Sequence, residues 1–181
     1  MGPDACRTTE LAGALRTLGQ RVTDLGNITA ATVPQVNLDH SAYGLEETIG
    51  WAQSLAAAAQ TAMADGIPVF LRGDHALSLG SVAGVGRHAE AHGRPQFVLW
   101  LDAHSDFHTA QSSHSGNLHG TPQSYLTGAM DFPGFQCWTT RSQRLMFVWL
   151  GCDPWSMRLW HTARLWAMIC VTLIERASPN R

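Results

Sequence analysis

The stretch Val98–Asp106, Val-Leu-Trp-Leu-Asp-Ala-His-Ser-Asp, constrains this chain more than any other. Its apolar run reads as a buried strand. It ends in three metal-ligand side chains at alternate positions, Asp102, His104 and Asp106. Residues i, i+2 and i+4 of a strand face the same way. The spacing therefore predicts a strand that delivers two carboxylates and an imidazole from its C-terminal end. These groups can converge on one cation or on two. One side of a metal site is thus written into the sequence, and the rest of the chain has to supply the other.

The neighbouring segments say what kind of sheet this strand joins. Leucines at helical spacing predict a helix over 5–18, ended by Gly19. Val22–Leu25 reads as a short strand. A second helix is expected from about Leu45 to Met63, because Ala56–Ala59 favour helix intrinsically and Gly66 follows. Ile67–Leu71 reads as a buried strand leading into Gly73-Asp74-His75. A third helix is expected from about Leu77 to Ala91, then the strand Gln96–Leu101, and a short helix from Thr121 or Pro122 to Leu126. Strands and helices alternate with short links. The fold class predicted is α/β, a parallel sheet with helices on both faces. Ligands of such sheets sit beyond the carboxyl ends of the strands. His75 follows one strand end and Asp102–Asp106 follow the next, so adjacent strands would bring them together. The long Ser- and His-rich loop from Phe107 to Gly120 lies at the same end, and long loops there carry function.

Composition narrows the function classes. The 181 residues suit one domain, and a net charge of −2 with no lysine argues against a nucleic-acid surface. Four cysteines without a CxxC pair suggest neither a zinc knuckle nor a disulfide framework, so a cytoplasmic location is expected. No signal-peptide pattern opens the chain, and no apolar run reaches the ~20 residues needed to span a membrane. After Phe135 the character changes. Residues 136–181 hold five of the seven Trp and six of the twelve Arg, but only two acidic residues. The expected organisation is therefore a domain over 1–135 and an aberrant Trp/Arg-rich tail over 136–181 that is not natively folded.

His75, Asp102, His104 and Asp106 offer oxygen and nitrogen ligands without a thiolate. Such a set suits Mn²⁺ and also fits Zn²⁺, Fe²⁺ or Co²⁺. Two cations held about 3.5–4 Å apart would acidify a shared water, which points to a hydrolase. Taken singly the residues read more plainly: Asp74 as a helix cap, His75 as structural, and His88, His92, His108 and His114 as solvated.

Taken together, Arg72-Gly73-Asp74-His75-Ala76, Asp102-Ala103-His104-Ser105-Asp106 and Ser115-Gly116-Asn117-Leu118-His119-Gly120 resemble the first metal motifs and the substrate loop of the ureohydrolases. The loop has the arginase form rather than the agmatinase form. Met1-Gly2-Pro3 with Ala5 and Arg7 adds to the likeness, which covers about residues 1–135. The resemblance implies the three-layer arginase-like fold and two Mn²⁺ ions. His75 and Asp106 would ligate one ion, His104 the other, and Asp102 would bridge them. A bridging hydroxide would attack the guanidinium carbon of L-arginine, giving ornithine and urea. His119 matches the proton-shuttle histidine. Ser115 and Asn117 match residues that bind the substrate α-carboxylate, and His108 stands where relatives bind substrate through Asn. A homo-oligomer is also implied, with no nucleic-acid or membrane partner.

The chain also departs from the family pattern. Arg72 replaces the first glycine of the first motif, and Ala76 replaces a serine. The third metal motif, which supplies two further carboxylates, has no counterpart, since no Asp-x-Asp occurs. The Glu that holds the guanidinium and the strand that precedes Met-Gly-Pro have none either. With codons chosen freely, Leu145–Ser156 and Leu165–Ile174 can spell arginase segments in one shifted frame. This leads to the expectation of a frameshift near Phe135–Trp138 in a chain truncated at both ends, with weak metal binding, little activity and poor solubility. Two alternatives stand beside it: a ureohydrolase of agmatine or another guanidino compound, and a non-catalytic metal- or partner-binding fragment.

Overall fold

Two long helices supply nine of the sixteen buried hydrophobic residues among those described. The structure, a computed structural model, describes residues 2–36, 42–109, 112–128 and 145–150. Helix α3 spans Leu45–Asp65, after two short helices α1 (Gly2–Thr8) and α2 (Leu11–Thr17). Its buried residues Leu45, Ile49, Ala52, Leu55, Ala56 and Ala59 stand at i, i+4, i+7, i+10, i+11 and i+14, so they form one apolar stripe. Glu46 and Glu47 occupy its first turn, where the helix dipole favours negative charge. Helix α4, Ser78–Ala91, packs along that stripe. The approach is close because both faces are small. A Cβ at Gly80 would lie 2.5 Å from the Ala52 carbonyl oxygen, and one at Gly84 would lie closer still to that of Ala56.

Strand β1 is Gln96–Leu101, with the bounds expected from its apolar run. It pairs in parallel with β2, Leu145–Leu150, from Gln96 opposite Leu145 to Leu101 opposite Leu150. The parallel pairing and the intervening helices make the fold α/β. The core runs from Leu45, Ile49 and Ala52 of α3 through Leu79 and Ala83 to Val98 and Trp100 of β1. Tyr125 and Leu126 of helix α5, Pro122–Leu126, close it. Among the described residues no helix is long and apolar enough to cross a membrane.

Three expectations change. The helix over 5–18 is two helices, broken where Glu10 adopts a left-handed backbone (φ 55°). Gly19 does follow the second, with φ 80° and its amide donating to the Arg16 carbonyl. Val22–Leu25 and Ile67–Leu71 are not strands. Ile67 and Val69 are 63% and 68% exposed, and no described strand pairs with the segment. Strand β2 lies within 136–181, of which the structure describes residues 145–150. The proposed frameshift junction Phe135–Trp138 and the segment Leu165–Ile174 lie outside the described residues.

Candidate metal centre

The site forms where two chain turns meet at the C-terminal end of β1. Asp74 begins the first turn. Its Oδ1 accepts the Ala76 amide at 2.7 Å and caps a single 3₁₀ turn, His75–Leu77, that leads into α4. The plain reading of Asp74 as a cap therefore holds, and the cap is what orients His75. The His75 ring stacks on Trp100, with centroids 4.7 Å apart and planes 21° apart. Trp100 lies two positions before Asp102, so its side chain belongs to the strand face that leads to the site.

The second turn differs from the expected extended strand. Backbone pairing stops at Leu101 and the chain bends over Asp102–His104. Asp102 Oδ1 accepts the His104 amide at 2.9 Å, a local turn that competes with continued strand. Asp106 then takes a left-handed backbone (φ 48°) and is buried, at 6% exposure. The alternation that suggested three ligands on one face does not persist through this bend.

The outcome is a tight group of three. One ligand atom each from His75, Asp102 and Asp106 lie within 4.8 Å of one another. His75 Nδ1 stands 3.0 Å from Asp102 Oδ2 and 2.8 Å from Asp106 Oδ2. Asp106 Oδ2 is buried and accepts no hydrogen bond of proper geometry, even from this close imidazole. A buried carboxylate oxygen in that condition fits a cation better than it fits a proton donor. His104 is outside the group. Its side chain is mostly exposed and its Nδ1 is 3.5 Å from Asp102 Oδ1, on the opposite oxygen from His75. His104 does line the same cleft of about 250 Å³, together with Gly73, Asp74, His75, Asp102, Asp106 and His119.

The other expected residues are placed differently. His119 sits on the 3₁₀ turn Leu118–Gly120 and reaches the cleft wall. Ser115 and Asn117 are exposed and do not line the cleft, and Ser115 Oγ accepts the Asn117 amide at 3.3 Å. His108 does not line it either: its Nδ1 lies 3.4 Å from Ser112 Oγ. Arg72 turns away from the cleft and donates to Ser81 Oγ on α4 at 3.1 Å. Burial lowers the Arg72 pKa, against the opposing pull of the Asp74 charge. Sequence reasoning missed Trp100 as the ring beneath His75, although its place two residues before Asp102 was a usable signal.

The arginase family model matches residues 1–157. The arginase of Brucella melitensis is 48% identical over 136 residues, which is 75% of this chain and 44% of that protein. Human mitochondrial arginase-2 is 36% identical over 142 residues, 74% of this chain and 39% of its own length. This chain thus spans less than half the length of the curated relatives it matches. Among solved structures, arginase from Bacillus subtilis superposes with a TM-score of 0.66 at 26% identity, over 88% of this chain and 54% of that one. The arginase of Bacillus caldovelox gives 0.63 at 27%, over 89% and 55%. The His–Asp group at the end of β1, the parallel α/β frame and these matches agree, and the chain belongs to the arginase family.

Proposed function

We propose that this chain is a manganese-dependent hydrolase of the guanidinium group of L-arginine, forming L-ornithine and urea, with low turnover in its present form. The observation that carries the reading is the position of Asp102. One carboxylate oxygen faces His75 and the other faces His104, as a residue shared between two cation positions would. In this reading His75 and Asp106 would hold one Mn²⁺, His104 would hold the second, and Asp102 would serve both. When bound, the ions supply a water acidified enough to act as nucleophile near neutral pH. The oxygen and nitrogen donor set, free of thiolate, suits such ions.

The chain's own residues do the rest. His119, at the cleft wall, moves a proton to the leaving amine. Ser115 and Asn117, exposed on the loop beside the cleft, meet the substrate carboxylate, and His108 contributes less because its ring is engaged with Ser112. Residues 1–135 carry these groups. No Asp-x-Asp occurs within these 181 residues, and two cations sharing four side chains would be held weakly, which would keep turnover low. Among the described residues Cys6 has a free thiol, which accords with a cytoplasmic location.

The test is urea release from L-arginine and from agmatine with added Mn²⁺, alongside calorimetric titration of the metal. Arginine-selective release that disappears in His119→Ala supports the proposal. Selective turnover of agmatine would replace the substrate. Mn²⁺ binding without turnover of either would leave a metal-binding fragment.

A further inference from the structure

We infer that helix α5 is a brace for the metal ligand Asp106, with Ser124 as its positioning residue; the inference rests on the metal-centre reading above. Asp106 needs a brace. A left-handed backbone at a residue with a side chain persists only where its surroundings impose it. Three hydrogen bonds do so here, and all come from the segment Gly120–Ser124. The Gln123 amide donates to the Asp106 carbonyl at 3.0 Å. The His108 amide donates to the Gly120 carbonyl at 2.9 Å. The Ser124 hydroxyl donates to the His108 carbonyl at 2.6 Å, sharing its proton with the Thr121 carbonyl at 2.8 Å. Residues 106–108 are thereby held at both ends.

The brace itself is buried. Ser124 is fully buried, Gln123 and Thr121 are 1% exposed, and Pro122 begins the helix with its φ already set. Helix α5 also packs against α4, which starts at the turn bearing His75. The two turns that carry the ligands are therefore tied to one packed unit. Of the described hydrogen bonds between the brace and residues 106–108, that of the Ser124 hydroxyl comes from a side chain, so it is the one that substitution can remove cleanly.

Outer groups that orient metal ligands commonly change metal affinity by about 10–100-fold when removed. Ser124→Ala in the full chain is expected to weaken Mn²⁺ binding by about tenfold or more, measured by calorimetric titration per folded molecule. The melting of the metal-free protein distinguishes the roles, because a purely structural serine would lower melting and leave affinity unchanged. That second pattern would overturn the inference. If Ser124→Ala does not fold, hydrogen exchange on the unaltered chain decides. Coupling between sites is reciprocal, so Mn²⁺ must slow exchange of the Gln123 and His108 amides, and unchanged protection would overturn the inference. No Mn²⁺ binding by the unaltered chain removes the metal reading and the brace together. Binding by that chain with equal affinity in Ser124→Ala removes the brace alone.

Discussion

Asp106→Asn should stabilise the metal-free protein and abolish its response to metal. Without a cation, Asp102 and Asp106 share one imidazole, with donor atoms inside 4.8 Å and Asp106 almost fully buried. At an effective dielectric near 20, two unit charges at that separation repel by about 3.5 kcal/mol. Solvent reaches Asp102 and His75, so the net gain from removing one charge falls to roughly 1 kcal/mol. For a chain of this size that raises the melting temperature by about 2–4 °C. With Mn²⁺ the sign reverses. At a free concentration a hundred times its dissociation constant, the ion stabilises the unaltered chain by about 2.7 kcal/mol. That is a rise of roughly 5–10 °C, and Asp106→Asn should show none of it. Differential scanning calorimetry of both proteins, in chelator and in Mn²⁺, gives the four values. A variant that melts several degrees below the unaltered chain in chelator would refute the repulsion argument, and a retained Mn²⁺ shift would remove Asp106 from the ligand set.

Gly84→Ala should cost about 1–3 kcal/mol despite the better helix propensity of alanine, because its Cβ would meet the backbone of Ala56, which cannot step aside; urea denaturation measures it. The Asp24 carboxyl is held at about 2, first by its hydrogen bond from Arg7 and then by the Gly26 amide. A lowered carboxyl pKa gives stability that is complete above its ordinary value of 3.8 and lost as pH falls through 2. In Arg7→Gln the NMR titration midpoint of Asp24 should therefore rise toward 3.8. Val69→Lys should reduce self-association in sedimentation without lowering the melting temperature. Ile67, Val69 and Leu71 expose apolar side chains on a segment that no described strand covers.

Much of the site's membership could be read from residue types, and less of its shape. His75, Asp102, His104, Asp106 and His119, singled out from their motifs, line one cleft together with Gly73 and Asp74. The route differs from the expected one. Strand alternation would have turned His104 the same way as its neighbours, but a bend over Asp102–His104 and a left-handed Asp106 produce a triad without it. Such bends depend on side chain-to-backbone bonds and on distant braces, and neither has a period that a sequence displays. Gln123 and Ser124 carried no signal at all, because their bonds run to residues 17 and 16 positions away.

By itself, the sequence determined the elements whose causes are local. The apolar run sets β1, the alanine-rich stripe sets α3, Asp74 starts the turn into α4, and Pro122 starts α5. Each follows from propensity, capping or periodicity within a few residues. Tertiary structure decided which apolar runs became strands. Ile67–Leu71 and Leu145–Leu150 are both apolar, yet only the second is a strand, because a strand exists only where a partner accepts its backbone bonds. It also decided the ligand geometry. A left-handed Asp106 is unfavourable locally and is held by bonds to α5, so it depends on contacts across the fold.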